Sequence, residues 1–195
     1  MRKPSRQKQN NPQAKGSIRI IAGKHRGRKL PVIFADGLRP TTDRVKETVF
    51  NWLMPYIQDS DCLDCFSGAG SLGFEAYSRG AKQVTFIELN KDAATQLKAN
   101  KALLSASTTE VFNSDALKYL EQSPKAFNIV FIDPPFRQSL INNTLSLLNN
   151  GWLAQEAIIY LEMEKEARNI SIPENWRLLK EKIAGQVAYR LYQAT

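Results

Sequence analysis

The chain has 195 residues, 43% hydrophobic and 24% charged, the make-up of one ordinary globular domain with a small appendage. No apolar run reaches the roughly 18 residues of a membrane span, nothing apolar follows the basic N-terminus to make a signal peptide, and two cysteines give no disulfide framework; a cytoplasmic protein without membrane contact is expected. The net charge of +8 is lopsided: residues 1–30 hold ten Lys and Arg and no acid, leaving −2 for the rest, and such a block attracts phosphate backbones.

In chain order, residues 1–16 are rich in Lys, Arg, Gln, Asn and Pro and read as a flexible basic arm. Ile18 to Ile21 and Leu30 to Phe34 flank Gly23-Lys24-His25-Arg26-Gly27, which predicts a β-hairpin with a basic tip. Thr41 or Thr42 can cap a following helix whose apolar face is Val45, Val49, Trp52, Leu53 and Tyr56. Residues 17–57 thus form a hairpin-and-helix unit ahead of a domain at 58–195. From residue 61 strands and helices alternate: strand 62–66, helix 70–79, strand 83–88, helix from Asn90 to about Leu104, a weak strand 110–113, a short helix 116–121, a strong strand 127–133, helix 138–149 and strand 157–162. Such alternation implies an α/β fold with a parallel sheet and helices on both faces. The runs 177–183 and 187–192 around Ala184-Gly185-Gln186 break it with a hairpin, so the last strand runs antiparallel.

The segment Asp64-Cys65-Phe66-Ser67-Gly68-Ala69-Gly70-Ser71-Leu72-Gly73 holds a complete G-x-G-x-x-G between a predicted strand and helix. Glycines there let a ligand lie against bare amides at the helix N-terminus. Glu88 ends the next strand, where an acid can take both hydroxyls of a ribose. Asp64 ahead of the glycines suits a ligand bearing an ammonium and a sulfonium, and suits a pyrophosphate poorly. S-adenosylmethionine is therefore favoured over a nicotinamide dinucleotide. Asp115, past the third strand, can cap the short helix behind it.

The fourth strand runs into Asp133-Pro134-Pro135-Phe136. The prolines fix φ and remove two donors, so acceptors face outward at a rigid strand end. An exocyclic base amine is a poor nucleophile because its lone pair is delocalised into the ring. The Asp133 carboxylate and the Pro134 carbonyl can accept its hydrogens and localise that pair, while Phe136 offers a flat face to a flipped-out base.

These motifs resemble those of class I methyltransferases: Asp64 to Gly73 their motif I, Asp133 to Phe136 motif IV of the amino-group enzymes. Arg19-Ile20-Ile21-Ala22-Gly23, Arg26-Gly27-Arg28, Leu38 to Glu47 and Phe50-Asn51-Trp52-Leu53 resemble the RsmD family, bacterial guanine-N2 methyltransferases of 16S ribosomal RNA. The resemblance spans residues 17–195. It implies a Rossmann-like fold with a seven-stranded sheet, and one modified guanine of 16S rRNA in the small ribosomal subunit or its assembly intermediate; a monomer is expected. It implies that Asp64, Phe66, Ser67, Gly68, Gly70, Glu88, Leu89, Asp115 and Ala116 hold S-adenosylmethionine, Asp115 near the adenine amino group. Asp133, Pro134, Pro135 and Phe136 would act on the base. From the residues alone, Arg19, Lys24, Arg26 and Arg28 on the basic hairpin are expected to meet RNA, and Arg39, Thr41 and Asp43 at the helix start that follows it are placed to line the base pocket.

Cys62-x-x-Cys65 resembles a redox or zinc half-site, but odd spacing in a strand sends the two thiols to opposite faces. Buried free thiols and no metal are expected. His25 is expected to contact backbone or solvent rather than catalyse, and Trp52 and Trp152 to pack in or beside the core. Three rival readings are a DNA amino-methyltransferase, which lacks room for a target-recognition domain; a nicotinamide oxidoreductase, which leaves Asp133 to Phe136 unexplained; and an RNA-binding assembly factor without catalysis, against which the intact Asp64, Glu88 and Asp133 argue.

Overall fold

The structure, a computed structural model, describes residues 15–33, 42–135 and 140–195. Arg39, Thr41, Phe136, most of the predicted arm and the first residues of the predicted helix 138–149 lie outside them. Strands β1 (Lys15–Arg19) and β2 (Lys29–Ile33) pair antiparallel as the predicted hairpin. Then follow α1 (Asp43–Leu53), β3 (Asp61–Asp64), α2 (Ser71–Ser78), β4 (Gln83–Glu88), α3 (Lys91–Leu103), β5 (Thr109–Asn113), α4 (Ala116–Leu120), β6 (Phe127–Ile132), α5 (Leu140–Leu148), β7 (Leu153–Glu164), β8 (Trp176–Ala184) and β9 (Val187–Ala194). The last seven strands form one sheet in the order β5-β4-β3-β6-β7-β9-β8. β3 to β7 are mutually parallel, and β9 runs antiparallel to both β7 and β8. No helix among the described residues is long and apolar enough to cross a membrane.

Two apolar layers sandwich this sheet. On one face Cys62, Phe86, Phe131 and Tyr160 pack with Ile20 and Leu30 of the hairpin, Val49, Phe50 and Leu53 of α1, Leu72 and Phe74 of α2, and Leu97 of α3. On the other, Leu63, Cys65, Val130 and Ile159 pack with Leu120 of α4 and with Leu145 and Leu148 of α5. The parity of each strand therefore decides which helices its side chains meet. Cys62 and Cys65 enter opposite layers as free buried thiols. Trp152 is buried and Trp52 half-buried.

Several predicted boundaries move. β1 starts at Lys15, inside the stretch read as arm, because Lys15 and Gly16 find ladder partners in Ile33 and Val32. β7 starts at Leu153 rather than 157, and the register with β6 slips between Phe127 and Ile129. Tyr56 is not on the apolar face of α1: the helix ends at Leu53, and Tyr56 is exposed. Lys46 takes a buried place there instead, next to Glu75, which sequence spacing gave no reason to expect.

Candidate active site

All the predicted cofactor and reaction residues within the described chain come from the carboxyl edge of the parallel strands. β3 ends in Asp64, whose Oδ2 accepts a hydrogen bond from Gly73 N at 3.1 Å, so the carboxylate ties down the far end of its own loop. Ser67 Oγ donates to the Asp64 carbonyl at 2.9 Å. The loop then enters α2 through Gly70, the N-cap residue, at φ 79°. A side chain there would be strained and would crowd Leu97 and Phe74, at 2.6 and 2.7 Å from its Cβ. At Gly73 a Cβ would stand 2.2 Å from Phe86 Cε1, so only glycine lets α2 close on the sheet. Glu88 Oε2 accepts from Gly68 N and Oε1 from Asn90 N, both at 2.7 Å, binding the glycine loop to the end of β4.

Next along the edge, Leu89 is 69% exposed beyond Glu88. Asp115 accepts from Lys118 N at 3.0 Å, so it caps α4 as sequence suggested, and Ala116 is buried behind it. Phe66 is half-buried in the loop.

Asp64 and Asp133 stand on neighbouring strands. β3 pairs with β6 so that Asp64 lies opposite Phe131, and Cys65 N donates to the Phe131 carbonyl at 3.1 Å. Phe131 belongs to the layer holding the hairpin and α1 to α3, so Asp133, two residues on, faces the same side, as does Asp64, two residues after Cys62. Neighbouring strands are about 4.8 Å apart. The glycine loop and the Asp133-Pro134-Pro135 turn therefore open onto one space. Pro134 is buried and Pro135 exposed.

Electrostatics mark the same place. Burial pushes the Asp64 carboxyl up to about 7, against the hydrogen bond from Gly73, with the charge of Glu88 adding to the rise. Asp133 is held well above the usual carboxylate range by desolvation, then by Glu162 and Asp64. Glu162, two residues before the end of β7, is raised mainly by burial, opposed by its hydrogen bond from Tyr160. Sequence reading gave Glu162 no role. Its one available signal was an acid closing a strong parallel strand, as Asp64, Glu88 and Asp133 do.

The basic hairpin tip lies elsewhere. Lys24 N donates to the Ser78 carbonyl at 2.7 Å and His25 N to Ser78 Oγ at 2.9 Å, at the end of α2 away from the glycine loop. Seven residues of helix put the tip roughly 10 Å down the molecule from that loop. Arg19, Lys24, Arg26 and Arg28 are exposed there. His25, on that tip, is buried and stacked on Tyr77, with ring centroids 5.6 Å apart. Asp43, in contrast, starts α1 one residue after the Thr42 cap and is 55% exposed, 3.5 Å from Lys46.

The hairpin is fastened by a second group that sequence reading missed. Glu75, fully buried in α2, accepts from Ile21 N at 2.9 Å, Ala22 N at 3.0 Å and Arg79 Nε at 2.8 Å. Lys46 Nζ lies 3.8 Å from it and donates to the Arg19 carbonyl. An acid within the otherwise uncharged helix Ser71–Ser78 was the only hint.

Comparison with known proteins places the chain. The sequence profile of a family described as conserved hypothetical protein 95 matches residues 18–193. Ribosomal RNA small subunit methyltransferase D of Escherichia coli strain K12 is 55% identical, over 95% of this chain and 94% of that protein. The protein of the same name from Haemophilus influenzae is 58% identical, over 93% and 96%. Among solved structures, yhhF from Escherichia coli superposes with a TM-score of 0.86 at 54% identity, covering 92% of this chain and 98% of that one. TrmN from Thermus thermophilus shares the fold at 15% identity, with a TM-score of 0.69 over 80% of this chain and 50% of that one.

Proposed function

We infer the function from a membership: the chain belongs to the RsmD family, whose profile carries the description conserved hypothetical protein 95. It is an S-adenosylmethionine-dependent methyltransferase of small-subunit ribosomal RNA, and the atom it modifies is the exocyclic N2 of one guanine in 16S rRNA. The observation that carries the reading is the placement of Asp64 and Asp133 on adjacent parallel strands, one face and one edge. Cofactor loop and amine acceptor thereby share a space.

The loop fits the cofactor. Among the described residues no cation pairs with the buried Asp64 carboxylate, and Ser71 Oγ, in the first turn of α2, is buried without a hydrogen-bond partner. A positively charged ligand lying along Gly68 to Ser71 answers both. Asp64 would hold its ammonium, Glu88 its ribose hydroxyls, and Leu89, Asp115 and Ala116 would border its adenine, with Phe66, Ser67, Gly68 and Gly70 as the bed. S-adenosylmethionine supplies an electrophilic methyl group.

The protein's own part is to position the amine. Asp133 and the Pro134 carbonyl would accept hydrogen bonds from N2, which localises its lone pair and stabilises the charge it gains as the N–C bond forms and the S–C bond to the methyl group breaks. Orientation of this kind is worth on the order of 7–11 kcal/mol. The proton then leaves the amine for Asp133 or for water. The exposed cations of the hairpin tip hold the rRNA backbone at a distance from the reacting base. The test is labelled-methyl transfer onto small subunits, naked rRNA and DNA from cells lacking the gene, followed by nucleoside analysis. N2-methylguanosine from the subunit or its rRNA is the expected product; label in methyladenine, or in DNA alone, would refute the reading.

A further inference from the structure

We propose that Glu162 reads the Watson–Crick edge of the target base, accepting the N1–H of guanine while the neighbouring Asp133 accepts from the exocyclic amine. This rests on the guanine-N2 reading above and extends it from the reaction to the choice of base.

The backbone places the two acids together. β6 and β7 are parallel with Ile132 opposite Leu161, so Asp133 and Glu162 stand at the next rung of the ladder, about one strand spacing apart. Phe131 and Tyr160, two residues before each, belong to the same apolar layer, so both carboxylates face the side that also carries Asp64. Tyr160 is buried, and its Oη donates to Glu162 Oε2 at 2.8 Å, which fixes the carboxylate without consuming its other oxygen. Both acids are only half-buried, so a base can reach them.

Guanine presents two donors side by side on this edge, N1–H and the N2 amine. Two adjacent carboxylate acceptors match that pattern. Adenine and cytosine present a bare ring nitrogen beside their amine, an acceptor facing an acceptor wherever Glu162 has given up its proton. Next to Glu162 on β9 stands Tyr189, in register with it, which borders the far side of the same place. Two hydrogen-bond acceptors side by side call for two donors on the ligand; the edge of guanine supplies both.

The decisive experiment uses the full-length enzyme and small subunits reassembled with rRNA that carries either guanine or 2-aminopurine at the mapped nucleotide. 2-Aminopurine keeps the C2 amine but has no hydrogen on N1. The wild-type enzyme is expected to lose roughly 10–100-fold in kcat/KM on 2-aminopurine. Glu162→Gln is expected to lose a similar factor on guanine and little more on 2-aminopurine, because its amide can turn a donor toward N1. S-adenosylmethionine affinity, measured by calorimetry, stays at the wild-type value. Equal activity of Glu162→Gln on guanine, or the same penalty for 2-aminopurine in both enzymes, overturns the proposal. Should the variant not fold, the wild-type arm decides: an undiminished rate on 2-aminopurine refutes base reading at N1. If the wild-type product from natural subunits is not N2-methylguanosine, it is the guanine-N2 reading itself that has failed, whatever Glu162 does.

Discussion

At neutral pH the Asp64 carboxyl sits near half-ionisation, because burial opposes its charge while Gly73 N supports it. The sign of the consequence is fixed. A carboxyl raised from 3.8 to about 7 favours the folded state when protonated, so its contribution to stability is complete below pH 4 and is lost as pH climbs through 7. Asp64→Asn should therefore stabilise the cofactor-free protein by ~1–3 kcal/mol at pH 8 and by almost nothing at pH 4, read from urea unfolding. A cationic cofactor reverses the preference. Its affinity should weaken by up to about tenfold per pH unit below 7, by calorimetry from pH 5.5 to 8.5. A flat profile would show that Asp64 does not meet the cofactor's charge. Glu162 was less legible than Asp64 or Asp133. The Asp-Pro-Pro motif singled out Asp133, but the neighbour of Asp133 depends on which strands pair, and β6 is flanked by β3 and β7 for reasons that no local spacing encodes.

Elements place these residues, and the hairpin depends on one of them. Glu75 compensates Lys46 and two hairpin amides inside α2, so removing its carboxylate strands a buried ammonium. Glu75→Ala should cost about 3–5 kcal/mol, with faster amide exchange at Ile21 and Ala22; a loss below 1 kcal/mol would mean that the hairpin is held by its apolar contacts alone. Gly23 packs its bare Cα against the end of α2 at φ 80°, where a Cβ would come within 1.9 Å of the Ser78 carbonyl. Gly23→Ala should detach the tip and weaken rRNA binding while leaving cofactor affinity intact. The hairpin itself was readable from its two apolar runs. Its docking was not, because Glu75 and Lys46 are far apart in sequence and each alone looks like a surface charge. The early start of β7 was hidden likewise: Leu153 to Glu156 alternates poorly and is enlisted by the slipped register with β6.

Over the whole molecule, charge and chemistry are segregated. Ten cations crowd the first thirty residues, while the carboxyl edge of the sheet gathers Asp64, Glu88, Asp133 and Glu162. On the proposed function, an acidic reaction edge repels phosphate and admits an uncharged base, so the RNA backbone would be gripped at a distance and one nucleotide delivered. Reversing Arg26 and Arg28 to Glu should weaken rRNA binding and flatten its dependence on salt; an unaltered slope would move the RNA contact off the hairpin tip. The alternation of strands and helices made the fold readable in outline, and the glycine loop and Asp133-Pro134-Pro135 made its edge readable. The roughly 10 Å between tip and loop emerged only from the direction in which α2 runs. Everything turns on Asp133 touching the amine and not the cofactor, and that is measured directly by comparing Asp133→Ala with the wild type in methyl transfer to small subunits and in S-adenosylmethionine calorimetry. Transfer should fall by about 10²–10⁴-fold with the cofactor affinity retained; transfer within a few-fold of wild type, or loss of cofactor binding in a folded variant, would contradict it.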